Sequence, residues 1–453
     1  MIFCGGMKTY RPYSPRQSYL LPPSPLDWLP EDHVAYFILD VVSQLDLSRI
    51  LEPYEREERG FPPHHPQMML GLLLYGYCVG ITSSRKIERK TYEDVAFRVV
   101  SGGTHPDHSC IADFRARHRE AFADLFKEVL QLCIKAKLVK LGHIALDGTK
   151  MKANASKHKA MSYDRMKKQE AELGQKVERL LRAAEKEDAE EDERYGKDRR
   201  GDELPEDLRH AETRLERIRA AKAELEAEAK EQANKCDNKD EPPTGSSTPL
   251  PRHQVPREKD GSPTPKAQRN FTDPDSRIQK TGDGFIQGYN CQAAVDAENQ
   301  IIVAEGVTNQ PPDVEHFIPM LEQVVANCGR TPVRASADSG YYSEKNVAAA
   351  EAMGIAPYLA TGRQRRGEPP LPPPRGRPPG HLTAKQKMAR KLATRAGRAV
   401  YSRRKVIAEP PFGQIKQARG LRQFLLRGIE KVRAEWSLIC LTHNLLKLHA
   451  ATA

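Results

Sequence analysis

Paired cysteines are missing from this chain. Its eight cysteines (Cys4, Cys78, Cys110, Cys133, Cys236, Cys291, Cys328 and Cys440) stand singly, and none forms a C-x-x-C pair. That argues against a zinc ribbon or a thiol redox motif and for reduced, cytoplasmic thiols. Long apolar runs are also missing: none approaches the ~18–20 residues of a membrane span. The opening stretch, MIFCGGMKTYRPYSPRQ, has no continuous apolar segment and does not read as a secretory signal. Acidic residues are scarce in one region. Between Arg363 and Arg433 stand 20 Lys and Arg against Glu368, Glu409 and Glu430, a net of +17 (20 less 3). The whole 453-residue chain is only +11, so this region more than accounts for the excess. Such a field suits a polyanion, whose phosphates release condensed counterions when Lys and Arg neutralise them. Charge alone leaves two readings of Glu409 open. It is incidental on a solvated basic face, or it is kept there to hold a cation against a phosphodiester.

What is present divides into two or three domains' worth of chain. Residues 1–20 read as a flexible arm, overlapped by a Pro-rich stretch from Tyr10 to Pro30 that cannot hold a helix. Residues 21–136 read as short helices. Val34, Phe37, Ile38, Val41, Val42 and Leu45 recur at helical spacing, and Pro66 opens a helix carrying Met69, Leu70, Leu73 and Leu74. This region suits either a DNA-contacting module or a helical packing domain. A strand over 142–151 places Asp147 at its far end. Residues 161–233 then hold 17 Lys and Arg against 22 Asp and Glu. Their apolar seams (Leu173, Val177, Leu180, Leu181; Leu208, Leu215, Ile218, Leu225) predict an antiparallel pair of long, charge-laced helices. From 234 to 269 the composition predicts a disordered linker. Beyond it, strands over 288–296 and 300–307, a helix over 314–326, a strand over 332–337 ending at Asp338, a helix over 344–353 and a strand over 355–360 make an α/β alternation. A basic loop (363–382) and two helices follow, the first interrupted near Pro410-Pro411.

Asp147 and Asp338 each follow a short apolar strand and precede a Gly-containing turn, where open α/β sheets bind ligands. Two such carboxylates, with a third from a helix, could hold two divalent cations roughly 3.5–4 Å apart for in-line displacement at phosphorus. Either aspartate alone is weak, since Asp also caps turns.

Asp147 in ALDGTK, Asp338 in ADSGYYS and Glu409 in YSRRKVIAEPPFGQIK resemble the three acidic motifs of DDE transposases. Over residues 20–450 the chain is similar to bacterial insertion-sequence transposases, in particular the IS1182 group of the IS4/IS5 assemblage. The likeness takes in HPQMMLGLLLYGYCVGITSSRKIE, PDHSCIADFRARH, TDPDSRIQKTGDGFIQGYNCQAAVDAENQIIVA and EWSLICLTHNLLKL. The resemblance implies an α/β fold: an RNase H-like catalytic core over 137–160 and 270–450, an all-α N-terminal domain and a helical-hairpin insertion. It implies that Asp147, Asp338 and Glu409 are catalytic and bind Mg²⁺ or Mn²⁺, as two ions. Tyr401, Arg403, Arg404, Lys405 and Lys416 would contact DNA. The implied partner is double-stranded DNA, both element ends and target, bound by a homo-oligomer, with no membrane and no protein partner. The related signature is Y-x2-R-x3-E-x6-K. Here Tyr401, Arg404 and Glu409 give Y-x2-R-x4-E, one residue longer, while Lys416 keeps its spacing from Glu409. Two alternatives stay open: a metal-dependent nuclease on the same core, and a catalytically silent DNA-binding protein.

Overall fold

The computed structural model describes residues 24, 27–56, 62–195, 206–237, 250–282, 284–362, 373–374, 376 and 379–452, with backbone alone over 183–195, 206–208 and 234–237. The expected N-terminal arm and most of the basic loop lie outside these residues.

Seven short helices come first: α1 (Val34–Gln44), α2 (Ser48–Glu55), α3 (Pro66–Cys78), α4 (Ser84–Glu93), α5 (Val95–Val100), α6 (His108–Arg117) and α7 (Ala121–Lys135). Local chemistry sets their starts. Asp94 accepts from the amides of Ala96 and Phe97, Asp107 from those of Ser109 and Cys110, and Pro66 opens α3 where no amide hydrogen is needed. From Met69 to Cys78 every residue of α3 is buried, so it is the central helix of this region.

The sheet begins with β1 (Ile144–Lys152). A two-stranded ribbon of β2 (Ala160–Ser162) and β3 (Gln268–Asn270) brackets the helical hairpin α8 (Tyr163–Tyr195) and α9 (Glu206–Asp237). Then come β4 (Arg277–Thr281), β5 (Gly284–Asp296), β6 (Ile302–Thr308), α10 (Phe317–Cys328), β7 (Arg334–Ala337), α11 (Glu344–Ala352) and β8 (Ala356–Leu359). Across the sheet the order is β6-β5-β1-β7-β8, with β4 pairing the first part of β5 on the edge that β6 takes further along. β6, β5 and β1 are antiparallel, while β1, β7 and β8 are parallel. This is the RNase H-like arrangement that the sequence leads one to expect.

Helices cover both faces, which is why consecutive residues of β5 from Gln287 to Asp296 are all buried. Glu305 meets Ser437 on one face, and its neighbour Gly306 packs toward Met320 of α10 on the other. The chain closes with α12 (Ala384–Ala393), α13 (Arg395–Gly413), a π-helical turn over Gln414–Ala418, and α14 (Ile429–Thr452), which carries Ser437. One apolar core runs from Ala35 in α1 through the sheet to Leu448 in α14. Among the described residues no helix is long and apolar enough to cross a membrane.

The hairpin stands apart from that core on two small clusters of its own. Leu215, Ile218 and Leu225 are buried, and Glu170 pairs with Arg219 and Lys222 across the two helices. Leu173 and Val177 are half-buried and Leu181 is exposed; the side chain of Leu208 lies outside the described residues. The linker differs from expectation. α9 continues to Asp237, residues 238–249 lie outside the description, and from Leu250 the chain is anchored by the buried Leu250, Val255, Pro263 and Ala267. Side chains satisfy its backbone: His253 N donates to Asn309 Oδ1 and Val255 N to Gln232 Oε1, at 2.8 and 2.7 Å. Val255 and Ala267 bury against the base of the hairpin.

The sequence suggests a helix from Ala399, but α13 starts at Arg395 because Thr394 caps it, and two prolines lie inside it. Pro410 has no amide hydrogen to give Val406 O, one turn back. Gln300 Nε2 donates to that carbonyl instead, at 2.9 Å.

Candidate active site

β1 and β7 run parallel only at Ile144–Ala335 and Ala145–Ser336. Beyond these pairs the two strands separate, and the β1 edge is left unpaired until Lys152, which bridges to Gln423. Asp147, the fourth residue of nine rather than the far end of the strand, sits at this opening. Asp338 directly follows β7 and caps a 3-10 turn, its Oδ1 accepting from Gly340 N at 2.8 Å.

The Asp147 carboxylate is mostly buried. Its Oδ1 accepts from Gly148 N at 2.9 Å and its Oδ2 from Arg404 Nη1 at 3.0 Å. Burial raises its pKa to about 6; the Arg404 charge opposes this and Asp338 adds to it. Arg404 reaches in from α13, with Tyr401 beside it one turn earlier. Twelve residues beyond Arg404, Lys416 Nζ donates to Lys150 O at 2.7 Å. The segment from α13 into the π turn therefore lies along β1, from Asp147 to Lys150. Burial lowers the Lys416 pKa. Arg403 and Lys405 are exposed on the same helix.

The structure thus joins Asp147, Asp338, Tyr401 and Arg404, with Lys416 on the adjoining strand backbone. Glu409 is exposed, and no described bond links it to the aspartates. Among the described residues, no three Asp, Glu, His or Cys side chains converge as a metal cluster. Helical rotation explains the placement of Glu409. The position four residues after Arg404, on its stripe of the helix, is Ala408, which is fully buried. The extra residue in Y-x2-R-x4-E turns Glu409 a further 100° or so around the axis.

Several polar residues here escape a reading of the sequence: Lys150, Asn290, Gln292, Asp313 and Tyr341. The phenol of Tyr341 is fully buried, and its pKa is pushed well above the ordinary value by burial and by Asp313, Asp147 and Asp338. One signal was available. Asn290 and Gln292 alternate with apolar residues in the buried middle of β5, and buried amides need partners.

This strand order, with one carboxylate on the central strand and another at the end of its parallel neighbour, defines a class: RNase H-like enzymes that act on nucleic acid. Two family models make it more specific. Residues 247–445 match the Transposase DDE domain, and residues 23–117 match a Transposase domain (DUF772). The chain is a DDE transposase, an enzyme of DNA transposition that binds DNA. The DDE match includes Asp338 and Glu409 but begins after β1, so it is the sheet that brings Asp147 beside Asp338. No curated protein and no solved structure matches the chain significantly.

Proposed function

We propose that the protein binds the terminal inverted repeats of an insertion sequence of the group it resembles, cleaves the 3′ strand at each end, and joins the freed 3′-OH to target DNA. The observation that supports this most is the buried Asp147 carboxylate beside Asp338 at an opened sheet edge, met by Arg404 from a basic helix. The oxygens at this edge are hard donors, of the kind Mg²⁺ or Mn²⁺ takes. Burial raises the Asp147 pKa despite Arg404, so a further cation would stabilise its ionised form. Asp147 and Asp338 would hold the ions; Glu409, exposed on α13 and not bonded to either aspartate, would have to turn toward them to complete the set. Such ions supply charge neutralisation at the attacking and leaving oxygens of phosphoryl displacement.

The chain's own residues do the rest. Arg404, with Tyr401 beside it, orients the Asp147 carboxylate. Lys416 braces the helix on β1, so its ammonium acts next to phosphate from a set position. Arg403 and Lys405 meet the DNA backbone, contacts that carry affinity and register rather than sequence information. The protein works on DNA in the cytoplasm as a homo-oligomer that holds two ends.

The test is purified protein with labelled element ends, a target plasmid and Mg²⁺, scored for cleavage and strand transfer. Cleavage with joining supports the proposal. Cleavage without joining makes the protein a nuclease, and binding alone makes it a silent DNA-binding protein.

A further inference from the structure

Strand alternation puts Gly148 and Lys150, with their partners Gln292 and Asn290 on β5, on the sheet face opposite the Asp147 side chain. Asp313, on the connection after β6, closes that face. Its Oδ1 accepts from Asn290 Nδ2 at 2.7 Å and from Gln292 Nε2 at 2.9 Å, and Lys150 Nζ lies 3.7 Å away. Lys150 is itself anchored to the same loop, donating to Pro311 O at 3.0 Å.

The Asp313 carboxylate also occupies the space beside two glycines. A Cβ on Gly148 would stand 3.2 Å from Asp313 Oδ1, and a Cβ on Gly340 would stand 3.4 Å from Oδ2. Gly148 follows Asp147 directly, and Gly340 lies two residues after Asp338. One carboxylate therefore packs against the backbone that carries each aspartate. Further bonds tie the same parts together. Asn346 Nδ2 donates to Val314 O at 2.7 Å and Tyr341 O at 2.8 Å, and the Tyr341 hydroxyl donates to Gln292 Oε1.

We infer that Asp313 is a positioning residue, setting the separation of Asp147 and Asp338 from the reverse face of the sheet. The inference rests on the metal-site reading above. Without the Asp313 carboxylate the amides of Asn290 and Gln292 and the Lys150 ammonium lose their common acceptor. The turn at Gly340 is then free to shift against β1. Outer-shell partners of this kind change metal affinity by about 10–100-fold when removed.

The experiment is Mn²⁺ binding to the full-length protein without DNA, followed by the EPR signal of free Mn²⁺. Thermal melting and gel shifts of a terminal-repeat duplex in EDTA run alongside. Asp147→Asn is the control and should lose Mn²⁺ binding. Asp313→Asn should weaken Mn²⁺ about tenfold, with the gel-shift midpoint unchanged, and Asp313→Glu should recover part of the loss. Gly148→Ala reaches the same network from the other side, since its Cβ would lie 2.6 Å from Gln292 Nε2 and must displace that amide. It should reproduce the weakening, and it decides the matter should Asp313→Asn fail to fold. If Asp313→Asn binds Mn²⁺ as tightly as wild type while Asp147→Asn does not, the positioning role is wrong and the metal site stands. If wild type and Asp147→Asn bind alike, the metal-site reading fails and takes the inference with it.

Discussion

At Asp147, burial and ion pairing pull in opposite directions, and burial wins: the pKa rises to about 6 although Arg404 touches the carboxylate. Asp147→Asn keeps the shape and removes the charge that would hold a hard cation. The variant should still shift element-end DNA, slightly better than wild type because one negative charge facing phosphate has gone. Cleavage and joining should both fall by orders of magnitude in a strand-transfer assay. Full activity in the variant would remove Asp147 from the chemistry. Glu305 offers a separate test, by stability alone. Burial raises its pKa to about 7 despite the Ser437 hydroxyl and Arg433. Between the ordinary carboxyl range and about 7 the native state holds a proton that the unfolded chain has released. Wild-type stability therefore falls as pH rises through that window. Glu305→Gln should gain on wild type from pH 5 to pH 8, by at most about 3 kcal/mol, in urea melts at the two values. Asp147 and Asp338 were legible because each follows an apolar run and precedes a glycine. Asp313 was not, because an Asp after two prolines has the appearance of an ordinary turn residue until the fold brings it to Gly148 and Gly340.

Among the elements, those with strong period were readable. The strands β5 and β6 and the helix α10 fall within a few residues of expectation, and the second seam of the hairpin is buried at Leu215, Ile218 and Leu225. Harder to read were elements whose backbone is satisfied by distant side chains. The stretch after Leu250 has the composition of a linker, yet Asn309 and Gln232 hold its amides. Nothing in PPFGQIK announces that the helix continues through Pro410, because the group that takes the freed carbonyl, Gln300, lies more than a hundred residues earlier. The hairpin gives a prediction at this scale. Its contacts with the rest of the molecule gather at the base, where Tyr163, Leu225 and Ala229 meet Val255 and Ala267. Replacing residues 174–213 with a short Gly/Ser linker should leave the melting temperature within a few degrees of wild type. A larger fall, or aggregation on expression, would show that the distal hairpin supports the core.

Over the whole molecule, the N-terminal helices and the catalytic sheet are joined by buried polar groups as well as by apolar core. Arg419 donates to Tyr77 O, Thr442 Oγ1 and Ile439 O, and Glu435 accepts from the amides of Leu425 and Leu426 and from the Tyr77 hydroxyl. A field arising in one part is therefore presented by a single packed body, and its sign varies over the chain. The stretch 363–433 carries +17 (20 less 3), whereas 161–233 carries 17 positive against 22 negative charges. On the proposed reading DNA is drawn to the first and repelled by the second, and its path follows α13 rather than the hairpin. On α13, Arg404 is already engaged with Asp147, so the exposed Arg403 and Lys405 are the groups available to phosphate. Each neutralised phosphate contributes about 0.9 to the slope of log affinity against log salt. Neutralising both residues (Arg403→Gln with Lys405→Gln) should lower that slope by about 2 while leaving sequence preference among duplexes unchanged. Gel shifts across a salt series, on element-end and unrelated duplexes, measure both quantities. An unchanged slope would move the DNA path away from α13 and toward the basic surface of α4, where Arg85 and Lys86 are exposed.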